Sequence, residues 1–194
     1  TYTNQVIALI ALAARSGGRD LGPLAAASSW LEKAVREMDG TARALAKQLA
    51  KVQKLFILGY GLGHGVALEG ALKIKEVTGI PCEGMFSSEF KHGPLAMVEQ
   101  GTPVLFTASQ AGCHMLTNHV TEVTCRGGYA IVIAPEHENL RAEASLFIPL
   151  PVGSEVEYAV VGAVPFQLFA YHLAVTLGFD PDYPRNLSKT LTVD

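Results

Sequence analysis

The sequence predicts a doubly wound α/β fold: a five-stranded parallel sheet in flavodoxin-like order, with extra helices at the N-terminus. Three observations carry that expectation. Short apolar runs recur at residues 55–58, 82–86, 103–108, 129–134 and 146–150, and their length and β-branched content suit strands buried on both faces. Helical patterns alternate with these runs, as they must when parallel strands are joined by crossovers. A glycine-rich turn, residues 59–65, separates the first run from the first crossover helix, where the backbone has to turn sharply.

The bulk properties agree with one domain. The chain has 194 residues, a net charge of -3 and 49% hydrophobic residues, enough for a single sizeable core. No basic stripe points to nucleic acid as a partner. The apolar segment 6–14 is too short to span a bilayer, and 156–177 is interrupted by Glu157, Gln167 and His172, so no membrane role is expected. The three cysteines, Cys82, Cys113 and Cys125, show no CxxC spacing, and no secretory signal is apparent; they read as reduced thiols of a cytoplasmic protein, without a metal site or cofactor. The chain opens at Thr1 inside a helical pattern, which reads as a fragment of something longer.

Three parts are expected: an N-terminal helical segment (1–52), an α/β sandwich (53–179) and a C-terminal tail that contributes to the site (180–194). Residues 3–14 form a helix whose 6–14 face carries no charge and needs cover from another subunit or domain. Pro23 opens a second helix with Trp30, Leu31, Ala34, Val35 and Met38 on its apolar side, and Gly40-Thr41 separates it from a short helix over 42–52. After the first strand, a helix runs from Val66 to Glu76. Gly79-Ile80-Pro81 breaks it before the second strand, and Gly93-Pro94 closes a polar loop beginning at Ser87. A helix from Ser109 to near Arg126 follows the third strand. The fifth strand contains Pro149, which suits an edge. A last long helix, 155–177, is expected to kink at Gly162 and Pro165.

Candidate chemistry starts on the 66–76 helix. Glu69, Lys73 and Glu76 stand at i, i+4 and i+7, in one stripe roughly 60° wide on an otherwise apolar helix. They read either as a solvated ion-pair edge, worth a few tenths of a kcal/mol, or as a stripe facing a cleft at the carboxyl ends of the strands. The glycine turn is neither a dinucleotide fingerprint, since His64 stands where G-x-G-x-x-G needs glycine, nor a P-loop. Of the histidines, His114 and His119 read as surface or core polar residues, His172 as a satisfied core residue, and His137 as part of a solvated loop. His64 is a possible site residue, and His92 stands out in its crowded polar loop.

Three segments then carry a resemblance that extends over essentially the whole chain. They are Ala67-Leu68-Glu69-Gly70-Ala71-Leu72-Lys73-Ile74-Lys75-Glu76, Ser88-Glu89-Phe90-Lys91-His92-Gly93-Pro94-Leu95-Ala96, and Pro184-Arg185-Asn186-Leu187-Ser188-Lys189. Together they resemble the glutamine:fructose-6-phosphate aminotransferases (glucosamine-6-phosphate synthases), in the second of their two sugar-isomerase (SIS) subdomains. The resemblance implies an SIS fold, a sugar-phosphate substrate and a homodimer. It also implies a first SIS subdomain and a glutaminase domain as partners in the same parent chain. By position it implies that Glu76 moves a proton between C1 and C2, that Lys73 assists with Glu69 beside it, and that His92 opens the sugar ring in the neighbouring subunit's site. Lys189 would form a Schiff base with the ketose, with Arg185 and Asn186 close by. Where the first subdomain has a phosphate loop, this chain has Ser109-Gln110-Ala111-Gly112-Cys113-His114. Ala111 and His114 replace hydroxyl residues there, so Ser109 and Gln110 are expected to bind phosphate only weakly. A related SIS deaminase and a non-catalytic sugar-phosphate-sensing SIS module are the alternatives.

Overall fold

In chain order the elements are α1 (Tyr2–Ser16), α2 (Ala27–Gln48), β1 (Leu55–Tyr60), α3 (Leu62–Thr78), β2 (Cys82–Phe86), β3 (Pro103–Ala108), α4 (Cys113–Thr124), β4 (Tyr129–Ala134), α5 (Glu138–Glu143), β5 (Leu146–Pro149), α6 (Glu155–Val161) and α7 (Val164–Thr176). Short 3-10 turns occupy Ser87–His92 and Pro94–Met97 between β2 and β3. The computed structural model describes residues 2–187.

Alternation along the strands decides the layers, because successive strand residues face opposite sides of a sheet. Leu55, Ile57, Leu105, Ile131 and Ile133 turn one way and pack against Leu45 and Ala46 of α2, Ala67, Ala71 and Ile74 of α3, and Phe166, Phe169 and Leu173 of α7. Phe56, Leu58, Val104, Phe106, Ala130 and Val132 turn the other way. They meet Leu116, Val120 and Val123 of α4, Leu140 of α5, and Phe90 and Leu95 of the two 3-10 turns. With both faces covered, the strands read as unbroken apolar runs. They pair in parallel in the order β2-β1-β3-β4-β5, the expected flavodoxin-like order, with β5 and its Pro149 at an edge.

Several boundaries differ from the sequence expectations. Pro23 lies in a 3-10 turn, Gly22–Ala26, and α2 opens at Ala27; likewise a 3-10 turn over Gln110–Gly112 precedes α4, which opens at Cys113 rather than Ser109. Helix α2 runs unbroken through Gly40-Thr41, because Ala34, Met38, Ala42 and Leu45 hold one buried stripe and Gly40 lies on the open side. A glycine there costs about 1 kcal/mol, which that packing offsets. Helix α3 begins at Leu62, inside the glycine-rich turn: only Gly61, at φ +57°, takes a left-handed conformation there, while Gly63 sits in the first helical turn. The last helix divides into α6 and α7 at Gly162-Ala163, with Pro165 in the first turn of α7, where a missing N–H costs nothing. The apolar stretch within Glu155–Thr176 is 67% buried inside the fold. Finally, residues read as loop form α5, with His137 as its N-cap; the ring Nδ1 accepts from the Leu140 amide at 3.2 Å.

Helix α1 is the least covered element. Its Ile7 and Ile10 pack on a small cluster with α2 and α6, but no residue of α1 is buried, and Leu9 and Leu12 are 64% and 63% exposed.

Two neighbouring glycines test the α3 packing. A Cβ on Gly63 would lie 2.4 Å from the Thr107 carbonyl oxygen, whereas one on Gly65 would meet nothing within 4 Å. We expect Gly63→Ala to destabilise the fold by about 1–3 kcal/mol. Gly65→Ala should stabilise it by up to about 1 kcal/mol. Urea denaturation of both variants checks this, and equal effects would show that close approach is not what Gly63 provides.

Candidate functional site

Strand direction decides where the pocket lies. Helix α3 leaves the carboxyl end of β1 and must return to the start of parallel β2, so its last turn lies at the edge where the strands begin. The α6–α7 pair makes the same return and packs against α3, with Gly70 facing the Phe166 ring so closely that a Cβ would stand 2.9 Å from it. Gly79, at φ +70°, ends α3 by donating its amide to the Lys75 carbonyl at 3.0 Å, a left-handed cap that favours glycine. Beyond α7 the chain turns at Gly178, φ +81°, and comes back beside the last turn of α3. Between the two lies a cavity of about 390 Å³ whose lining includes Lys75, Glu76, Phe179, Tyr183, Arg185 and Asn186. Asn186 takes φ +63°, a left-handed conformation that asparagine tolerates better than most residues.

The charged stripe runs up to this cavity. Lys73 Nζ donates to Glu76 Oε2 at 2.6 Å and stands 3.8 Å from Glu69 Oε1. The side chains of Glu69, Lys73 and Glu76 are 11%, 31% and 25% exposed. The stripe is therefore not an open solvated edge. Its Glu69 end is near α1: the Tyr2 phenol is pushed above its ordinary range by burial and, secondarily, by the charge of Glu69. Nor does it face a cleft at the carboxyl ends of the strands. The antiparallel return of α3 carries it toward the opposite edge of the sheet, which corrects that expectation.

The other candidate residues are divided between further places. Glu76, Arg185 and Asn186 share the cavity. Ser109 and Gln110 stand at the carboxyl end of β3, with Ser109 buried and Gln110 exposed. At that turn the Ala111 amide already donates to Glu155 Oε1 at 3.1 Å, so a carboxylate of the chain itself meets the donor a phosphate would seek. His92 is exposed at the end of the Ser87–His92 turn, which packs through Phe90 on the α4 face of the sheet. The sheet thus stands between His92 and the Glu76 face. Lys189 lies outside the described residues.

His172 is buried, with Nε2 2.7 Å from Asp39 Oδ1, and is the satisfied core histidine expected. His114 is exposed. His64 packs edge-on against Phe86. His119 is buried and pairs with Ser87, a contact the sequence reading missed. Its signal was the α4 stripe of Leu116, His119, Val120 and Val123 at i, i+3, i+4 and i+7. Among the described residues, no three His, Cys, Asp or Glu side chains gather as a metal site.

The architecture is that of an open, doubly wound α/β domain with a polar-rimmed pocket at the trailing ends of its crossover helices. Residues 48–177 match the family described as the SIS domain, and the chain belongs to that family. It is 39% identical over 198 residues to a glutamine–fructose-6-phosphate aminotransferase (isomerizing) of Methanothermobacter thermautotrophicus, which covers all of this chain and 33% of that protein. It is 37% identical over 169 residues to the mouse (Mus musculus) protein glutamine–fructose-6-phosphate aminotransferase (isomerizing) 2, covering 84% of this chain and 24% of the other. The chain spans about a third of the length of the curated relatives it matches. In three dimensions it is similar to the C-terminal domain of glucosamine-fructose-6-phosphate aminotransferase from Francisella tularensis, with a TM-score of 0.70 and 29% identity over 77% of this chain and 43% of that one. A glucosamine-6-phosphate deaminase of Thermotoga maritima shares the fold, with a TM-score of 0.75 at 23% identity over 97% of this chain and 55% of that chain.

Two of the three thiols, Cys82 and Cys113, are buried away from reagents. Burial pushes Cys82 up to about 12 and Cys113 up to about 11, while Cys125 is exposed. A disulfide-exchange reagent at pH 8 should therefore titrate Cys125 rapidly in the native protein and all three cysteines in denaturant. Rapid native reaction at Cys82 or Cys113 would show that the core opens there.

Proposed function

We propose that this chain is one isomerase half of a fructose-6-phosphate aminotransferase, acting on a ketose phosphate within a larger, dimeric, cytoplasmic polypeptide. The observation that carries the reading is the Glu69–Lys73–Glu76 stripe ending at a cavity that also holds Arg185 and Asn186. The full-length similarity to aminotransferases of this name supports it.

The chemistry follows from the residue types. Isomerisation needs one carboxylate to take a proton from C1 and return it at C2. Glu76 is that base, because it is the stripe residue that lines the cavity. Lys73, hydrogen-bonded to it, holds the carboxylate in place and donates to the group at C2 that gains charge as the C1 proton leaves. Glu69 holds the Lys73 ammonium from the other side. Arg185 and Asn186 supply donors for the sugar's hydroxyls and phosphate. Lys189, three residues beyond Asn186, attacks C2 of the ketose as a neutral amine, the carbonyl oxygen leaving as water. Ammonia then displaces the lysine to give the C2 imine that is isomerised. His92 opens the sugar ring, and because it stands on the far face of the sheet it does so in a neighbouring subunit's site. The exposed Leu9 and Leu12 of α1 are covered in the assembled polypeptide.

Glu76→Gln in the full-length polypeptide tests the base. It should lower turnover by about 10²- to 10⁴-fold, with the thermal unfolding midpoint unchanged. Incorporation of solvent deuterium at C1 or C2 should fall in parallel; undiminished incorporation would remove Glu76 from the proton transfer.

A further inference from the structure

The Ser87–His92 turn is tied to the body of the protein by one buried polar contact. Ser87 Oγ lies 2.9 Å from His119 Nδ1, with Ser87 wholly buried and His119 7% exposed. The contact joins β2's end to α4 across 32 residues of sequence. Aromatic rings lie beside it: Tyr60 is 6.0 Å from the His119 ring and 5.2 Å from Phe86, which in turn lies 5.4 Å from His64. Five residues after Ser87 the turn presents His92. A 3-10 turn has poor internal hydrogen-bond geometry, so its path depends on its anchors. Those are Ser87 at its start and Phe90 against Phe56 further along, with ring centroids 5.2 Å apart.

We propose that His119 is a positioning residue for His92: through Ser87 it fixes the turn from which His92 reaches its substrate. This rests on the reading of His92 given above. Ser87 Oγ and His119 Nδ1 share one hydrogen bond, whose direction is set by the ring's tautomer. A second ring proton fixes Nδ1 as the donor to Ser87 and leaves a charge in a buried site, where burial already holds His119 below its ordinary 6.5. The groups facing it are Tyr60 from β1, Lys91 from the turn itself, whose charge also opposes protonation, and Glu122 from its own helix, which favours it. The anchor is thus uncharged at neutral pH and is weakened as pH falls below 6.5 toward the lowered value, when a charge must be buried beside Ser87.

The test uses the full-length polypeptide with His119→Asn, whose carboxamide oxygen stands near the Nδ1 position, His119→Phe, which fills the space without an acceptor, and the mild Ser87→Ala. We expect His119→Phe and Ser87→Ala each to lower kcat by about tenfold with KM changed less than twofold, and the double variant to be no worse than either single one. His119→Asn should recover most of the loss and abolish the acidic limb of the kcat profile attributable to His119. Hydrogen exchange of the amides of residues 88–92 should quicken in the Phe and Ala variants. Unchanged exchange in Ser87→Ala, or quickened exchange with unchanged kcat, overturns the proposal; so does equal loss in His119→Asn and His119→Phe. Undiminished turnover in His92→Gln would instead overturn the reading of His92 on which it rests.

Discussion

The close seating of α3 between the sheet and α7 is the constraint on which the rest depends. Parallel strands force each crossover helix to run back against them, and three glycines let this one lie almost on its neighbours. A side chain at Gly63 would strike the Thr107 carbonyl, one at Gly70 the Phe166 ring, and one at Gly84 the backbone of Ala67 and Leu68. With that approach secured, the last turn of α3 and the segment following α7 end at the same edge of the sheet, and their meeting makes the cavity. Ligands of open α/β sheets usually bind at the carboxyl ends of the strands. Here the charged stripe leads to the other edge, because its residues begin halfway along a returning helix.

Electrostatics then gives that stripe its chemical character. Two carboxylates share one ammonium, and all three groups are only 11–31% exposed. At an effective dielectric of about 20, charges 4 Å apart interact by about 4 kcal/mol, against about 1 kcal/mol in bulk water. At 2.6 Å and 3.8 Å the ammonium is held from both sides, in a setting drier than the solvated edge where an i,i+4 pair contributes a few tenths of a kcal/mol. Geometry fixes the Glu76 carboxylate at the cavity wall, with Lys73 as its hydrogen-bond partner.

Much of this was legible in the sequence, and the exceptions have physical causes. The strands could be read because burial on both faces leaves an unbroken apolar run, and β2, β3 and β4 fall on the expected residues. The stripe could be read because helical periodicity puts Glu69, Lys73 and Glu76 on one side; which end of the sheet it reaches depends on the path of the chain, and the periodicity is silent on that. Gly40 and the glycines at the start of α3 misled, since a glycine signals a break only when no buried stripe runs through it. His119 was passed over as one polar residue among others, although its place in the α4 stripe marked it as buried. Its partner Ser87 lies on another element, and such a pairing is a tertiary fact.

The central claim is that a working site combines Glu76 of one chain with His92 of another, as the sheet between them in a single chain implies. Differently tagged full-length Glu76→Gln and His92→Gln polypeptides, each inactive alone, can be co-expressed and the mixed dimers isolated. In a mixed dimer one site would hold both native residues and the other neither. Such dimers should regain about half the activity of the unaltered dimer, one site of the two. Mixed dimers as inactive as either parent would contradict the account and place both residues in the site of one chain.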